Sequence, residues 1–154
     1  MSKVVKTAEP LVLRCLLDDI LLMRCDCERV GREEQEDGPY ELKYTTSVAE
    51  TRVDRSALWA DVTAEIVSQS DSGKQIFQVL AVFRLSYSFE GPPPSDQELR
   101  AFEENTPVFQ AWPYLREIVQ NLTSRMQFNP PPLPLIKRKP ADAALKLKAK
   151  KKLK

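Results

Sequence analysis

The chain of 154 residues contains no histidine. That removes the commonest general base and the commonest metal ligand. Only four glycines occur, so no glycine-rich loop is available to cradle a phosphate or a dinucleotide. No apolar run approaches the ~20 residues that a membrane-spanning helix needs. Met1 to Pro10 is polar, and the apolar stretch after it is broken by Arg14, Asp18 and Asp19, so no secretory signal is read. Three cysteines, an odd number, do not make a disulfide framework. A reducing, cytoplasmic setting is the expectation.

What is there is charge, unevenly spread, and a clear hydrophobic pattern. The net charge of +1 hides a split. Residues 137–154 hold nine Lys or Arg and one Asp, which leaves residues 1–136 with 14 basic and 21 acidic groups. An acidic body of one domain (1–136) is expected, followed by a basic, disordered tail (137–154).

The body begins with strands. From Leu21 to Cys27 apolar and charged residues alternate, which predicts a strand with Leu21, Met23, Cys25 and Cys27 on a core face. Leu11 to Leu17 either extends this strand or forms a turn of helix. Gly31 to Pro39 reads as a loop closed by Gly38-Pro39. A second strand runs from about Tyr40 to Val53, with Tyr40, Leu42, Tyr44 and Val48 on one face. A third runs from about Leu58 to Gln69, with Leu58, Ala60, Val62, Ala64 and Ile66 on one face. Ser70-Asp71-Ser72-Gly73 is a hairpin turn. The fourth strand, about Gln75 to Phe89, is apolar at every odd position from Phe77, and its start is apolar enough on both sides to be covered on both.

Gly91-Pro92-Pro93-Pro94 ends the sheet, because proline cannot donate to a ladder. Ser95 and Glu98 form a capping box for a short helix that Thr106-Pro107 interrupts. A longer helix is predicted from Trp112-Pro113, with Leu115, Ile118, Val119, Leu122 and Met126 at helical spacing. Asn129 to Pro134 must be extended. Strands grouped before helices predict an α+β fold, a four-stranded antiparallel sheet followed by a short and a long helix.

Catalytic and metal chemistry finds little support. Cys25-Asp26-Cys27 with Cys15 makes a poor zinc set without histidine, and the pair reads as small residues on the buried side of a strand. Ser72-Gly73-Lys74 lacks the glycine spacing of a phosphate loop. Asn121-Leu122-Thr123 fits a glycosylation triplet but falls mid-helix. Asp18-Asp19 reads as a wet strand edge rather than an acid–base pair. No enzyme activity, metal or cofactor is expected.

The run Ala111-Trp112-Pro113-Tyr114-Leu115-Arg116-Glu117-Ile118-Val119, with Leu122-Thr123-Ser124-Arg125, Phe128 and Pro130-Pro131-Pro132-Leu133-Pro134-Leu135, resembles the SecB export-chaperone family. Asp19-Ile20 in the first strand matches as well, and the likeness spans about Leu16 to Leu135. The resemblance implies a subunit that assembles as a dimer of dimers, a homotetramer. Such a protein holds unfolded precursor segments in apolar grooves without ATP and hands them to a partner, often the SecA motor. Asp19 stands at a motor-docking position of that family; Met23 and Gln78 stand where it carries acids. The family's second long helix is replaced here by Lys137-Arg138-Lys139-Pro140 and the lysine-rich tail. Shorter SecB-like relatives serve toxin–antitoxin systems, which makes an antitoxin a further implied partner.

The residue pattern agrees with that chemistry, since a large exposed apolar patch marks a binding surface. Groove candidates are Phe77, Phe83 and Tyr87 in the fourth strand, Trp112 and Tyr114 at the helix start, and Phe128, Leu133 and Leu135 after it. The alternative for each is that it packs sheet against helix. The tail at Lys146–Lys154 allows a second reading, an adaptor that binds nucleic acid or an anionic surface.

Overall fold

The structure, a computed structural model, describes residues 10–30, 41–127 and 133–136. The loop at Gly31 to Pro39, Tyr40, Phe128, Pro130 to Pro132 and the tail from Lys137 to Lys154 lie outside the described residues.

The elements follow the order α1 (Leu11–Arg14), β1 (Cys15–Arg29), β2 (Glu41–Asp54), β3 (Ala57–Gln69), β4 (Gln75–Phe89), α2 (Asp96–Asn105) and α3 (Pro107–Arg125). All strand pairs are antiparallel, in the spatial order β1-β4-β3-β2. The fold is the α+β one expected: a four-stranded antiparallel sheet followed by two helices. Leu11 to Leu17 resolves into both alternatives, a helical turn and then strand.

The two inner strands make the core. On β3, Leu58, Ala60, Val62, Ala64 and Ile66 are buried, and on β4 so is every odd residue from Phe77 to Phe89. These side chains project to the side on which α2 and α3 lie. The even residues of β4, such as Ile76, Leu80 and Val82, are half-buried, so the far side is only partly covered even at the start of that strand. Between β3 and β4 the Ser70 N–H donates to Lys74 O and the Gly73 N–H to Ser70 O. Gly73 closes this turn at φ +80, in the region open to glycine.

Two expectations need correction. The first concerns β1. Leu21 and Met23 do not share the inward face with Cys25 and Cys27, and those two cysteines, expected on the buried side, are exposed because no helix covers them. Ile20 and Leu22 lie opposite the inward residues Leu85 and Phe83, whereas Leu21 pairs with the outward Arg84. The strand slips register between Leu22 and Arg24, and again between Leu17 and Asp19. Each bulge inserts one residue and exchanges the faces beyond it.

The second concerns α3. It starts at Pro107, not Trp112, and carries Pro113 inside it. Pro107 takes the N-terminal position for the reason first applied to Pro113, that a missing N–H costs nothing there. Trp112 stays helical although it precedes a proline. It is only 3% exposed, its ring lies 4.9 Å from that of Tyr44, and its Nε1 donates to Pro134 O at 2.8 Å. Tertiary packing outweighs the local preference. At the junction Thr106 caps both helices, its N–H donating to Phe102 O, so α2 and α3 read as one long bent helix.

Candidate functional site

α3 packs over β2, β3 and β4 and meets β1 near its own C-terminal end, through Cys27 and Arg29. Between β1 and α3 the inward face of the sheet therefore lies open. Here runs a furrow of about 530 Å³. Ile20, Leu22, Cys25 and Cys27 line it from β1; Tyr114, Ile118 and Leu122 from α3; Phe83 forms its floor; Glu117 and Asn121 are polar members of the lining. Leu22 is 48% exposed and Tyr114 47%, while Ile118 and Leu122 are half-buried. β1 is an edge strand, and among the described residues its backbone pairs with β4 alone. The arrangement offers apolar pockets beside a free strand edge, the two things that capture an extended peptide. Among the described residues no three His, Cys, Asp or Glu side chains stand together.

The groove candidates are divided by the fold. Phe83 and Tyr114 meet in the furrow. Phe77 and Tyr87 are buried under the helices. The Tyr87 hydroxyl donates to Gln110 Oε1 at 2.7 Å, its ring meets that of Phe102 edge-on, and burial pushes its phenol well above the ordinary range. Trp112 and Leu133 are buried together: the Arg116 Nε donates to Leu133 O at 3.0 Å, beside the Trp112 bond to Pro134, and stitches the proline strip onto α3. Leu135 stands 77% exposed beyond them. Phe128 and Lys146–Lys154 are outside the described residues. Asp19 is exposed on β1 opposite Ser86, on the side away from the helices, its Oδ1 accepting from the Ile20 N–H. Asp18 instead accepts from Ser88 Oγ, so the two carboxylates do not act on one point.

The furrow residues Ile20, Leu22, Ile118 and Leu122 were not singled out from the sequence as binding residues. The signal that could have found them is the helical stripe Tyr114, Ile118, Leu122, set against a strand with too little helix to cover it.

Away from the furrow, the far side of the sheet sets a charged pair among apolar residues such as Trp59, Leu80 and Val82. Arg84 clamps Asp61 in two bonds of 2.8 Å, and these hydrogen bonds hold the Asp61 carboxyl below its usual range. Arg14 links the two ends of the sheet's last turn. It donates to Glu90 O and Pro92 O, pairs with Glu98 at 3.2 Å and lies over the Phe89 ring. Glu98 completes the expected capping box with Ser95, and those bonds hold its carboxyl low.

No protein-family model matches the chain, and no curated protein matches it. Among solved structures it superposes on the SecB-like chaperone of Mycobacterium tuberculosis, solved in complex with a ChAD peptide from the HigA1 antitoxin. The TM-score is 0.73 at 22% identity, over 82% of this chain and 94% of that one. A protein of unknown function from Streptococcus agalactiae gives a TM-score of 0.39 at 8% identity, over 78% of this chain and 96% of that one, too distant to argue from. The first superposition establishes a SecB-like fold, as the helix start and proline strip implied. No helix among the described residues is long and apolar enough to cross a membrane.

Proposed function

We propose that this SecB-like fold is a holding chaperone that binds unfolded or precursor polypeptide in the furrow between β1 and α3. The observation that carries this reading is the open apolar furrow beside a free strand edge. Burying one Leu or Phe of a client gives roughly 1.5–3 kcal/mol, so a few such pockets in a row give useful, reversible affinity. Backbone bonds to the β1 edge would add affinity without sequence preference. Neither contribution needs ATP, a metal or a catalytic group, so the protein acts without enzymatic turnover. The structural neighbour that carries an antitoxin peptide supports an antitoxin segment as one client class. Release to a SecA-type motor, assembly as a dimer of dimers and a cytoplasmic location belong to the same proposal.

The test follows the aggregation of a denatured client by light scattering. The protein should suppress it at near-stoichiometric amounts, and Ile118→Asp should abolish the suppression. No suppression at several-fold excess would sink the proposal. Scattering mass with and without client reports the oligomer in the same experiment.

A further inference from the structure

Beside the furrow, two thiols of β1 share one face, and a thioether from the end of α3 reaches one of them. Cys25 and Cys27 are two apart on β1 and share the inward face, opposite Ala81 and Val79. Their Cα atoms are therefore about 6.7 Å apart, near enough for one atom to bridge both sulfurs. From α3, Met126 brings its Sδ to 3.6 Å from Cys27 Sγ. Sulfur ligands held about 2.3 Å from a shared metal stand roughly 3.7–4.0 Å apart, so this pair is already close to ligand spacing.

The backbone that carries the thioether is anchored at the helix end. Met126 is the C-cap of α3; its N–H donates to Leu122 O, and Gln127 turns the chain out of the helix at φ +59. Its carbonyl accepts from Arg29 Nη1 at 3.1 Å. Arg29 lies two residues beyond Cys27 on the same face, so the helix end is tied to the very strand that carries the thiols. Cys25 and Cys27 are exposed, which leaves an entry path.

The geometry points to a soft-metal site of Cys25, Cys27 and Met126, selective for a monovalent cation of the Cu(I) type. Two thiolates and a thioether are soft ligands, and a three-sulfur set suits Cu(I) rather than zinc, which takes four ligands and prefers nitrogen, oxygen and thiolate donors. A bound metal ion takes both cysteines as thiolates. Loading forms two metal–thiolate bonds and releases two protons, with no change of oxidation state. The bound set carries one net negative charge, and the Arg29 guanidinium stands beside it. This inference does not depend on the furrow holding peptide.

The test is an anaerobic titration of the full chain with Cu(I) against a chromophoric Cu(I) chelator. One equivalent per chain should bind, with no change in oligomer mass, and should raise Tm, because a ligand of the native state stabilises it. Cys25→Ser and Cys27→Ser should each weaken binding beyond the ~10–100-fold typical of losing a group outside the ligand set. Met126→Leu, which keeps the volume, should weaken it about tenfold. Cys15→Ser should leave it unchanged. Binding that survives Cys25→Ser and Cys27→Ser, or that Cys15→Ser reduces equally, would overturn the site. Wild-type affinity in Met126→Leu would overturn the three-sulfur assignment. Unchanged far-ultraviolet circular dichroism in each variant separates loss of ligand from loss of fold.

Discussion

β1 and β4 are neighbours of equal length in one sheet, with similar alternations of apolar and polar residues. Yet every inward residue of β4 from Phe77 to Phe89 is buried, Phe83 at the furrow floor among them, whereas on β1 even the inward Leu22 is half exposed. The pattern of a strand records which face is apolar. It does not record whether anything covers that face. Here the cover is a helix aligned over β2, β3 and β4, which meets β1 near its own C-terminal end. The same hydrophobic signal thus becomes core in one strand and exposed apolar surface in the next.

The sharpest way to break this contrast is to cut one side chain on each strand. Phe77→Ala empties a fully buried site and should cost about 3–5 kcal/mol in denaturant unfolding. The cover itself is tested next. Trp112→Phe removes the Nε1 bond to Pro134 and should cost about 1 kcal/mol, with a larger loss if the proline strip detaches. Leu22→Asp, on β1, should cost less than about 1 kcal/mol, while eliminating suppression of client aggregation. A stability loss as large as that of Phe77→Ala would mean that β1 is covered after all.

The smallest effect lies on the far side. Asp61 has its pKa lowered by the Arg84 clamp, so its contribution is present above the unfolded carboxylate value and is lost as pH falls through the lower folded one. Asp61→Asn should therefore flatten the acid limb of the stability curve below about pH 4. The change should be within ~1 kcal/mol, because the pair is partly wet. At neutral pH and above the pH dependence of the two proteins should coincide.

Much of the fold was legible because it rests on local rules. The bounds of β4, the Ser95 capping box and the glycine turn at Gly73 all follow from periodicity and backbone freedom. The bulges of β1 were not legible, since register is a property of two strands and not of one. The start of α3 was missed because two prolines satisfied the same rule, and only the packing of Trp112 decides between them. Among the groove candidates Tyr114 and Leu135 are exposed, whereas Phe77, Phe83, Tyr87, Trp112 and Leu133 looked alike on paper and are buried. Exposure depends on where the helix lies, and no run of residues states that. Likewise the approach of Met126 to Cys27 was not legible, because the two are 99 positions apart.

The two slips in β1 have a consequence for solubility. A straight, fifteen-residue outer strand with greasy side chains is an invitation to endless stacking of copies. Each inserted residue breaks the regular rhythm of outward-pointing donors and acceptors and bends the rim. Asp18, Asp19, Arg24, Asp26 and Glu28 then place like charges against like in a second copy aligned the same way. Any strand that pairs with this rim has to follow both bends.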